Sequence, residues 1–160
     1  MKQTALTVLC IIILLVSSGC EKESPTGHLK ITVTYPEAVV IPDEPTYFIQ
    51  VPGVGAEVRL YDKDAQCWGY RDAMIDAAWI DGNPTSSKYA QLSNERGEVL
   101  FKGIPADEYY LVVYARQLTK YTEKYIEVNS SDTLELIKNF TDDLGFFKDL
   151  EPWDYEVPEN

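Results

Sequence analysis

Short runs in which apolar and polar residues alternate are the feature that most restricts the fold of this chain. In residues 28–35, Leu29, Ile31 and Val33 alternate with lysine and threonine, so one side of an extended chain is apolar. The same period of two recurs in residues 56–61 and 109–115. A period of two is typical of strands with one buried face, whereas helices repeat roughly every 3.6 residues. The chain is therefore predicted to fold mainly from β-strands.

Further short runs extend this prediction. Residues 46–51 fit an edge strand, and Gly97 suits a turn because glycine readily takes a positive φ. About seven short strands, without a long run of helical period, predict an all-β chain folded as an antiparallel β-sandwich. The additional runs with the length and apolar content of strands are residues 89–92, 98–102, 125–128 and 133–137.

Two segments of this predicted sandwich resemble a known class of module. The sequence GAEVRLYD of residues 55–62, followed by NERGEVLFKGIPADEYYLVVYA of residues 94–115, resembles the transthyretin-like, carboxypeptidase-regulatory-like sandwich domains. The resemblance covers residues 28–138 and implies that fold, but it implies no activity because it rests on core and turn positions. Those positions are Gly55, Val58, Leu60, Gly97, Phe101, Ile104, Pro105, Tyr109, Leu111 and Val113.

The N-terminal segment has the pattern of an export signal. After a lysine, residues 5–16 form an apolar run that is shorter than the roughly 20 residues of a membrane-spanning helix. Residues 17–19 (Ser-Ser-Gly) lead to Cys20, and this ending resembles the lipobox of bacterial lipoproteins, although its first serine replaces the usual aliphatic residue. The resemblance implies that residues 1–19 are removed and that Cys20 carries lipid, with residues 20–27 as a linker. The alternative is an ordinary secretory signal in which Cys20 has no special role.

The charge of the chain limits its partners. Fourteen Lys and Arg residues against 26 Asp and Glu residues give a net charge of −12. Nucleic acids and anionic lipid headgroups bind clustered basic residues, so neither is an expected partner.

Glu21 follows the proposed lipid site, where an aspartate would favour the inner membrane. We therefore expect a protein of the bacterial envelope, held at the outer membrane by lipid on Cys20, on either its periplasmic or its surface side.

Few residues are suited to catalysis. His28 is the single histidine, and Cys67 is the only cysteine left after Cys10 and Cys20 are assigned to the signal and the lipid. No Gly-x-Ser-x-Gly elbow occurs, and the acidic residues 72–81 lack the aspartate spacing of a calcium loop, which makes a solvated loop the simpler interpretation. We expect no enzyme activity, no cofactor and no bound metal.

Residues 64–88, called the insert below, lengthen a connection between two predicted strands. The spacing of Trp68, Ile75 and Trp79 predicts one face of a short helix. Trp68, Tyr70 and Trp79 could form an aromatic platform for a sugar ring or a protein partner, because flat rings give a large contact area. The alternative is a structural role in which these rings cap the open end of the sandwich.

The C-terminal residues 139–160 combine acidic and aromatic side chains. Its aromatic residues are Phe146, Phe147, Trp153 and Tyr155. So many aromatic side chains are not typical of a disordered segment, so this segment is predicted to dock, on its own domain or on another protein.

Two function classes follow from these features. The first is a non-catalytic binding or accessory module of the envelope, which predicts an exposed aromatic cluster and a glycan or envelope-protein partner. The alternative is a structural or assembly subunit of a surface adhesin or fimbria-like system, which predicts an open sheet edge that accepts a strand.

Overall fold

The structure, a computed structural model, describes residues 24–141, 147–150 and 152–154. The predicted signal peptide and Cys20 lie outside the described residues. Within the described ranges the chain forms ten strands, one short α-helix and a turn of 3₁₀ helix at Arg116–Leu118. In chain order the other elements are β1 (Thr26–Val39), β2 (Tyr47–Pro52), β3 (Glu57–Asp62), α1 (Tyr70–Met74), β4 (Ala78–Ile80), β5 (Asn83–Thr85), β6 (Tyr89–Leu92), β7 (Glu98–Pro105), β8 (Asp107–Ala115), β9 (Lys120–Val128) and β10 (Thr133–Asn139).

β1 is the central strand of the first sheet. Residues 28–34 pair with β10 in parallel, and residues 26–32 pair with β7 in antiparallel orientation. These ranges overlap, so β10 and β7 lie on opposite sides of β1. Thr34 pairs with both Asn139 of β10 and Pro52 of β2, which places β2 on the same side as β7. β7 and β2 therefore follow one another along one edge of β1.

The second sheet has the strand order β6-β3-β8-β9, and all its pairs are antiparallel. On β8, Leu111 and Val113 face the first sheet, whereas Tyr110, Val112 and Tyr114 face the opposite way. All of residues 109–115 are buried, so both faces of this strand are covered. The second sheet is thus the middle layer of three.

The main core lies between the two sheets. Leu29, Ile31 and Val33 of β1 are fully buried, and the alternating side chains of β3 and β8 pack into the same core. Burial of each such aliphatic side chain stabilises the fold by about 1.5–3 kcal/mol. The prediction of an all-β, antiparallel sandwich is confirmed. Among the described residues, the β1–β10 pair is the parallel exception.

The sandwich begins and ends beyond the predicted bounds of 28–138. Thr26 and Gly27 belong to β1 rather than to a linker, and a Cβ at Gly27 would lie 2.0 Å from the carbonyl oxygen of Asn129. Glycine is required there because the two backbones approach so closely. At the other end Phe140 is fully buried in the main core.

The described part of the C-terminal segment runs along both sheets. Ile137 of β10 and Asp154 exchange backbone hydrogen bonds of 2.8 and 3.0 Å. Tyr121 of β9 donates its N–H to the carbonyl of Phe147 and accepts from the N–H of Asp149, both at 2.8 Å. The segment therefore covers outer edges of β10 and β9, and Trp153 packs against the main core. Phe146 and Tyr155 lie outside the described residues.

A buried ion pair joins this segment to β10. The Lys138 Nζ lies 2.7 Å from the Asp149 Oδ1, and both side chains are fully buried. The Asp149 Oδ2 also accepts hydrogen bonds from the backbone N–H and the hydroxyl of Thr141, at 2.8 and 3.1 Å. The Lys138 ammonium lies 5.5 Å from the centre of the Phe140 ring. The carboxylate thus has several donors inside the protein, as a buried charge requires.

Candidate functional site

The insert packs on the outer face of the second sheet. Its small residues Ala65, Ala73 and Ala78 are fully buried against Tyr61 of β3 and the outward-facing side chains of β8. The nearly buried Arg59 of β3 donates to the carbonyl of Ala73 and pairs with Glu57 and Asp76. The insert therefore covers a face of the sandwich and not its open end, which corrects the predicted cap.

Tyrosine hydroxyls anchor the insert to the sheet. Tyr61 donates to Asp76 at 2.7 Å, and burial together with this carboxylate raises the pKa of Tyr61. Tyr110 accepts the backbone N–H of Cys67 at 3.1 Å and donates to Glu123 at 2.6 Å. Burial and the hydrogen bond to Glu123 raise the pKa of Tyr110 as well. Both phenols stay protonated at neutral pH and act as fixed donors.

The prediction of a short helix in the insert is confirmed, but the predicted helical face of Trp68, Ile75 and Trp79 is wrong. α1 covers only Tyr70–Met74, and Asp76, with a φ of 53°, takes the left-handed conformation that ends it. The carboxylate of Asp76 is bound by Tyr61 and Ser87, which stabilises this turn. Trp79 lies instead in β4, opposite Pro84 of β5.

Trp68 and Trp79 nevertheless meet. Their rings stack with centroids 5.0 Å apart and planes 11° apart. Trp68 is 69% exposed, whereas Trp79 is half-buried. Tyr70, the third residue of the predicted platform, is directed elsewhere: it stacks on Phe147 at 4.8 Å, and its hydroxyl lies 3.0 Å from that of Tyr114. The structure therefore brings together two of the three predicted rings.

Asp72 of α1 fixes the tryptophan pair. Its Oδ2 accepts the backbone N–H of Trp68 at 3.0 Å and the indole N–H of Trp79 at 3.1 Å. Trp79 also exchanges two backbone hydrogen bonds of 3.0 Å with Gln66. From the sequence, Asp72 was assigned only to an acidic loop. Its pairing with Trp79 could not be predicted, because it depends on the turn at Asp76.

The side chains of Cys67 and His28 each make a hydrogen bond to the backbone of the fold. The Cys67 thiol donates to the carbonyl of Ala77 at 3.3 Å, and burial raises its pKa to about 12. A thiol with that pKa is not a nucleophile at neutral pH. The His28 Nδ1 accepts the backbone N–H of Gly103 at 3.1 Å.

The hairpin of β1 and β2 extends past the main core as an exposed arm, defined here as residues 36–50. Val40 is 72% exposed, and Tyr47, Phe48 and Ile49 are 48, 50 and 44% exposed. Tyr47 and Ile49 lie opposite Val39 and Glu37 on one face, and Phe48 lies opposite Ala38 on the other. Apolar side chains are therefore exposed on both faces of the arm.

Apart from Pro52 at its end, the outer edge of β2 lacks the features that usually protect edge strands. Its sequence Tyr-Phe-Ile-Gln-Val-Pro contains no charge. By contrast, β6 has only four residues, β7 carries Glu98 and Lys102, and the C-terminal segment covers part of β9 and β10. Among the described edges, β2 is the one most open to pairing.

The register identifies which backbone groups of β2 face outward. The N–H of Gly53 donates to the carbonyl of Val33 at 2.8 Å, which marks a hydrogen-bonded pair. Hydrogen-bonded pairs alternate along an antiparallel ladder, so Val51 and Ile49 bond to β1 while Phe48 and Gln50 direct their backbone groups outward. The sequence predicted an edge strand at residues 46–51 but not its exposure on a projecting arm, although the three consecutive apolar residues 47–49 lack the alternation of a half-buried strand.

The described residues contain neither a cluster of metal-binding side chains nor a helix able to span a membrane. No group of three or more His, Cys, Asp and Glu side chains is arranged to hold a metal ion in residues 24–141, 147–150 and 152–154. Over the same ranges, none of the helical segments has the length and apolar character needed to cross a bilayer.

Comparison with known proteins gave a structural likeness but no match in sequence. No protein-family profile matches the sequence, and no curated protein matches it. The chain is similar to the crystal structure of GBS52, the minor pilin of the Gram-positive pathogen Streptococcus agalactiae, with 15% sequence identity and a TM-score of 0.41. The likeness covers 86% of this chain and 49% of the pilin chain, so this chain spans about half the length of that protein.

Proposed function

We propose that this chain is a lipid-anchored, non-catalytic subunit of a bacterial surface assembly, such as an adhesin or a fimbria-like system. In this proposal Cys20 carries the lipid, and β2 accepts an extended segment of another envelope protein. The observation that carries the proposal is the uncharged outer edge of β2 on an exposed apolar arm. Added strands bind by main-chain hydrogen bonds, and neighbouring side chains supply specificity.

Charge favours a partner strand with basic residues at its ends. Glu37, Asp43 and Glu44 lie on the arm among its apolar side chains. A second copy of this acidic chain would place the same carboxylates side by side, which is unfavourable. An apolar strand flanked by lysine or arginine would instead complement both the rings and the acids.

The position of the arm disfavours the membrane as its target. β1 has 14 residues and is therefore about 45 Å long, and its far end forms part of the arm. The chain between Cys20 and Thr26 reaches at most about 20 Å when fully extended. The lipid would therefore be attached at the opposite end of β1 from the arm, and the net charge of −12 opposes binding to anionic headgroups.

The proposed strand pairing can be tested with a defined peptide. We would titrate the mature lipidated chain, in detergent, with a peptide that alternates valine and threonine and has a lysine at each end. We expect saturable binding. Gln50→Pro should weaken it about tenfold because the substitution removes an outward N–H and leaves a peptide carbonyl unpaired. Proline fits this outward position, as Pro52 does two residues later.

Gln50→Ala is the matched control, because it loses the same side chain but keeps the N–H and should bind as the wild type does. A version of the peptide with a central proline should not bind. Equal binding by Gln50→Pro and Gln50→Ala, or self-association through the arm without peptide binding, would contradict the proposal.

The lipid anchor has a separate test. In cells given an alkyne fatty acid, the wild-type chain should be labelled and should sediment with membranes, whereas Cys20→Ser should be unlabelled. An unlabelled wild-type chain that retains Cys20 would show that the anchor assignment is wrong.

A second candidate function, a ligand-binding module, is favoured by the exposed ring of Trp68 and concerns a different surface.

A further inference from the structure

We propose that Trp68, together with Asp72, forms a binding site for a neutral sugar ring. The site lies on the insert, and the inference does not depend on the strand pairing proposed for β2. It begins from the exposure of Trp68, which at 69% leaves most of a large apolar side chain in water. Burying such a ring would ordinarily remove 150–250 Å² or so of surface from water, so its exposure forgoes a large stabilisation.

The exposed ring is held in one orientation. Trp79 supports one face of Trp68 in a nearly parallel stack at 5.0 Å. Asp72 binds the backbone of Trp68 and the indole of Trp79 with the same oxygen, Oδ2. Among the described residues the only ring contact of Trp68 is with Trp79, and the 69% exposure of Trp68 leaves its second face largely in water. A ring that is fixed before binding loses little conformational entropy when a ligand stacks on it.

Polar groups around the tryptophan pair suit sugar hydroxyls. The Asp72 Oδ1 accepts no hydrogen bond from the described part of the chain, and the exposed Gln66 is joined to Trp79 by two backbone hydrogen bonds. A pyranose can place its C–H face on an indole while its hydroxyl groups donate to a carboxylate. Flat apolar contact beside a small number of fixed polar groups is the usual composition of a small-ligand site.

Charge and geometry restrict the ligand further. The neighbouring carboxylates and the net charge of −12 oppose acidic sugars. A quaternary ammonium ion is recognised by aromatic rings on several sides, whereas Trp68 presents a single flat face. A neutral sugar is therefore the ligand class that fits best.

The test uses the mature full-length chain and a panel of named probes. Cellohexaose, maltohexaose, chitohexaose and mannan would be titrated while tryptophan emission and binding heat are recorded, with trigalacturonic acid and tetramethylammonium as contrasting probes. We expect at least one neutral sugar to bind and to shift the emission of Trp68. Trp68→Ala should weaken that binding at least about tenfold, and Trp68→Tyr should weaken it less.

Phe48→Ala is the matched control, because it removes an exposed ring from the arm and should leave sugar binding unchanged. Trp68→Ala should conversely leave peptide binding to β2 unchanged, so the two proposals fail separately. Folding of each variant is checked by near-UV circular dichroism. We expect each variant to fold, because removal of an exposed ring leaves no cavity. Binding of no neutral sugar, stronger binding of either contrasting probe, or equal binding by Trp68→Ala would overturn the inference.

Discussion

Removal of the carboxylate of Asp149 should be among the most damaging single changes in this protein. Asp149→Ala takes away the carboxylate that lies 2.7 Å from the fully buried ammonium of Lys138, and it removes the acceptor for two groups of Thr141. Breaking a buried ion pair by removing one partner typically costs about 3–5 kcal/mol. For a chain of 160 residues, roughly 3 °C of melting temperature corresponds to each kcal/mol. We therefore expect a decrease of about 10–15 °C.

The assay is thermal and urea denaturation of the wild type and three variants, followed by circular dichroism. Replacing both partners, with Lys138→Met and Asp149→Leu together, should recover the part of the loss that comes from the buried charge of Lys138, because an apolar pair of similar volume needs no compensating charge. The two donors of Thr141 still lose their acceptor in this variant. Lys63→Ala is the exposed control. Its ion pair with Glu108 is more than half exposed, so its loss should cause no measurable change.

The result that would refute this reasoning is a loss below about 1 kcal/mol in Asp149→Ala, since a loss that small is typical of a solvated pair. A double variant less stable than Asp149→Ala would also contradict it, because it would show that packing of the charged side chains, and not their charge, is the main contribution.

Three further predictions follow from the described contacts. Because burial raises the pKa of Cys67 to about 12, its thiol should resist iodoacetamide at pH 8.5 until denaturant is added, and rapid labelling of the folded chain would contradict this. Gly97→Ala should destabilise the fold more than Gly82→Ala in urea denaturation: both glycines have positive φ, but only at Gly97 would a Cβ lie 2.3 Å from a carbonyl oxygen. Tyr110→Phe should cost about 1–3 kcal/mol because the N–H of Cys67 loses its acceptor, and an unchanged urea midpoint would exclude that role.

The strands of the sandwich could be predicted because their signal is local. Alternation in residues 28–35 directly reflects one buried face, alternation in residues 56–61 marks the side chains that enter the main core, and Gly97 has the positive φ expected of its turn. The parallel pairing of β1 with β10 could not be predicted in this way. It joins segments far apart in the sequence, and the local pattern of a strand does not identify its partner.

The candidate sites were only partly predictable for the same reason. The aromatic residues of the insert can be identified in the sequence, but the sequence does not show which ring stays exposed. That depends on Asp76, because its left-handed turn ends α1 and allows Trp79 to enter β4. The arm was read as an ordinary edge strand, because exposure depends on where the opposite sheet ends. Asp149 was one acid among many in the sequence, and only the folded chain places it beside Lys138.

The length of β1 has a mechanical consequence. A load applied between the N-terminal side of the chain and the arm would run along this single strand. Its hydrogen bonds to β7 and β10 lie across the pulling direction, so they would be loaded in shear and would have to break together rather than one after another. At the pulled end, the backbone of Gly27 packs closely against the carbonyl of Asn129. The same strand that organises the core would thus act as the tension-bearing element of the molecule.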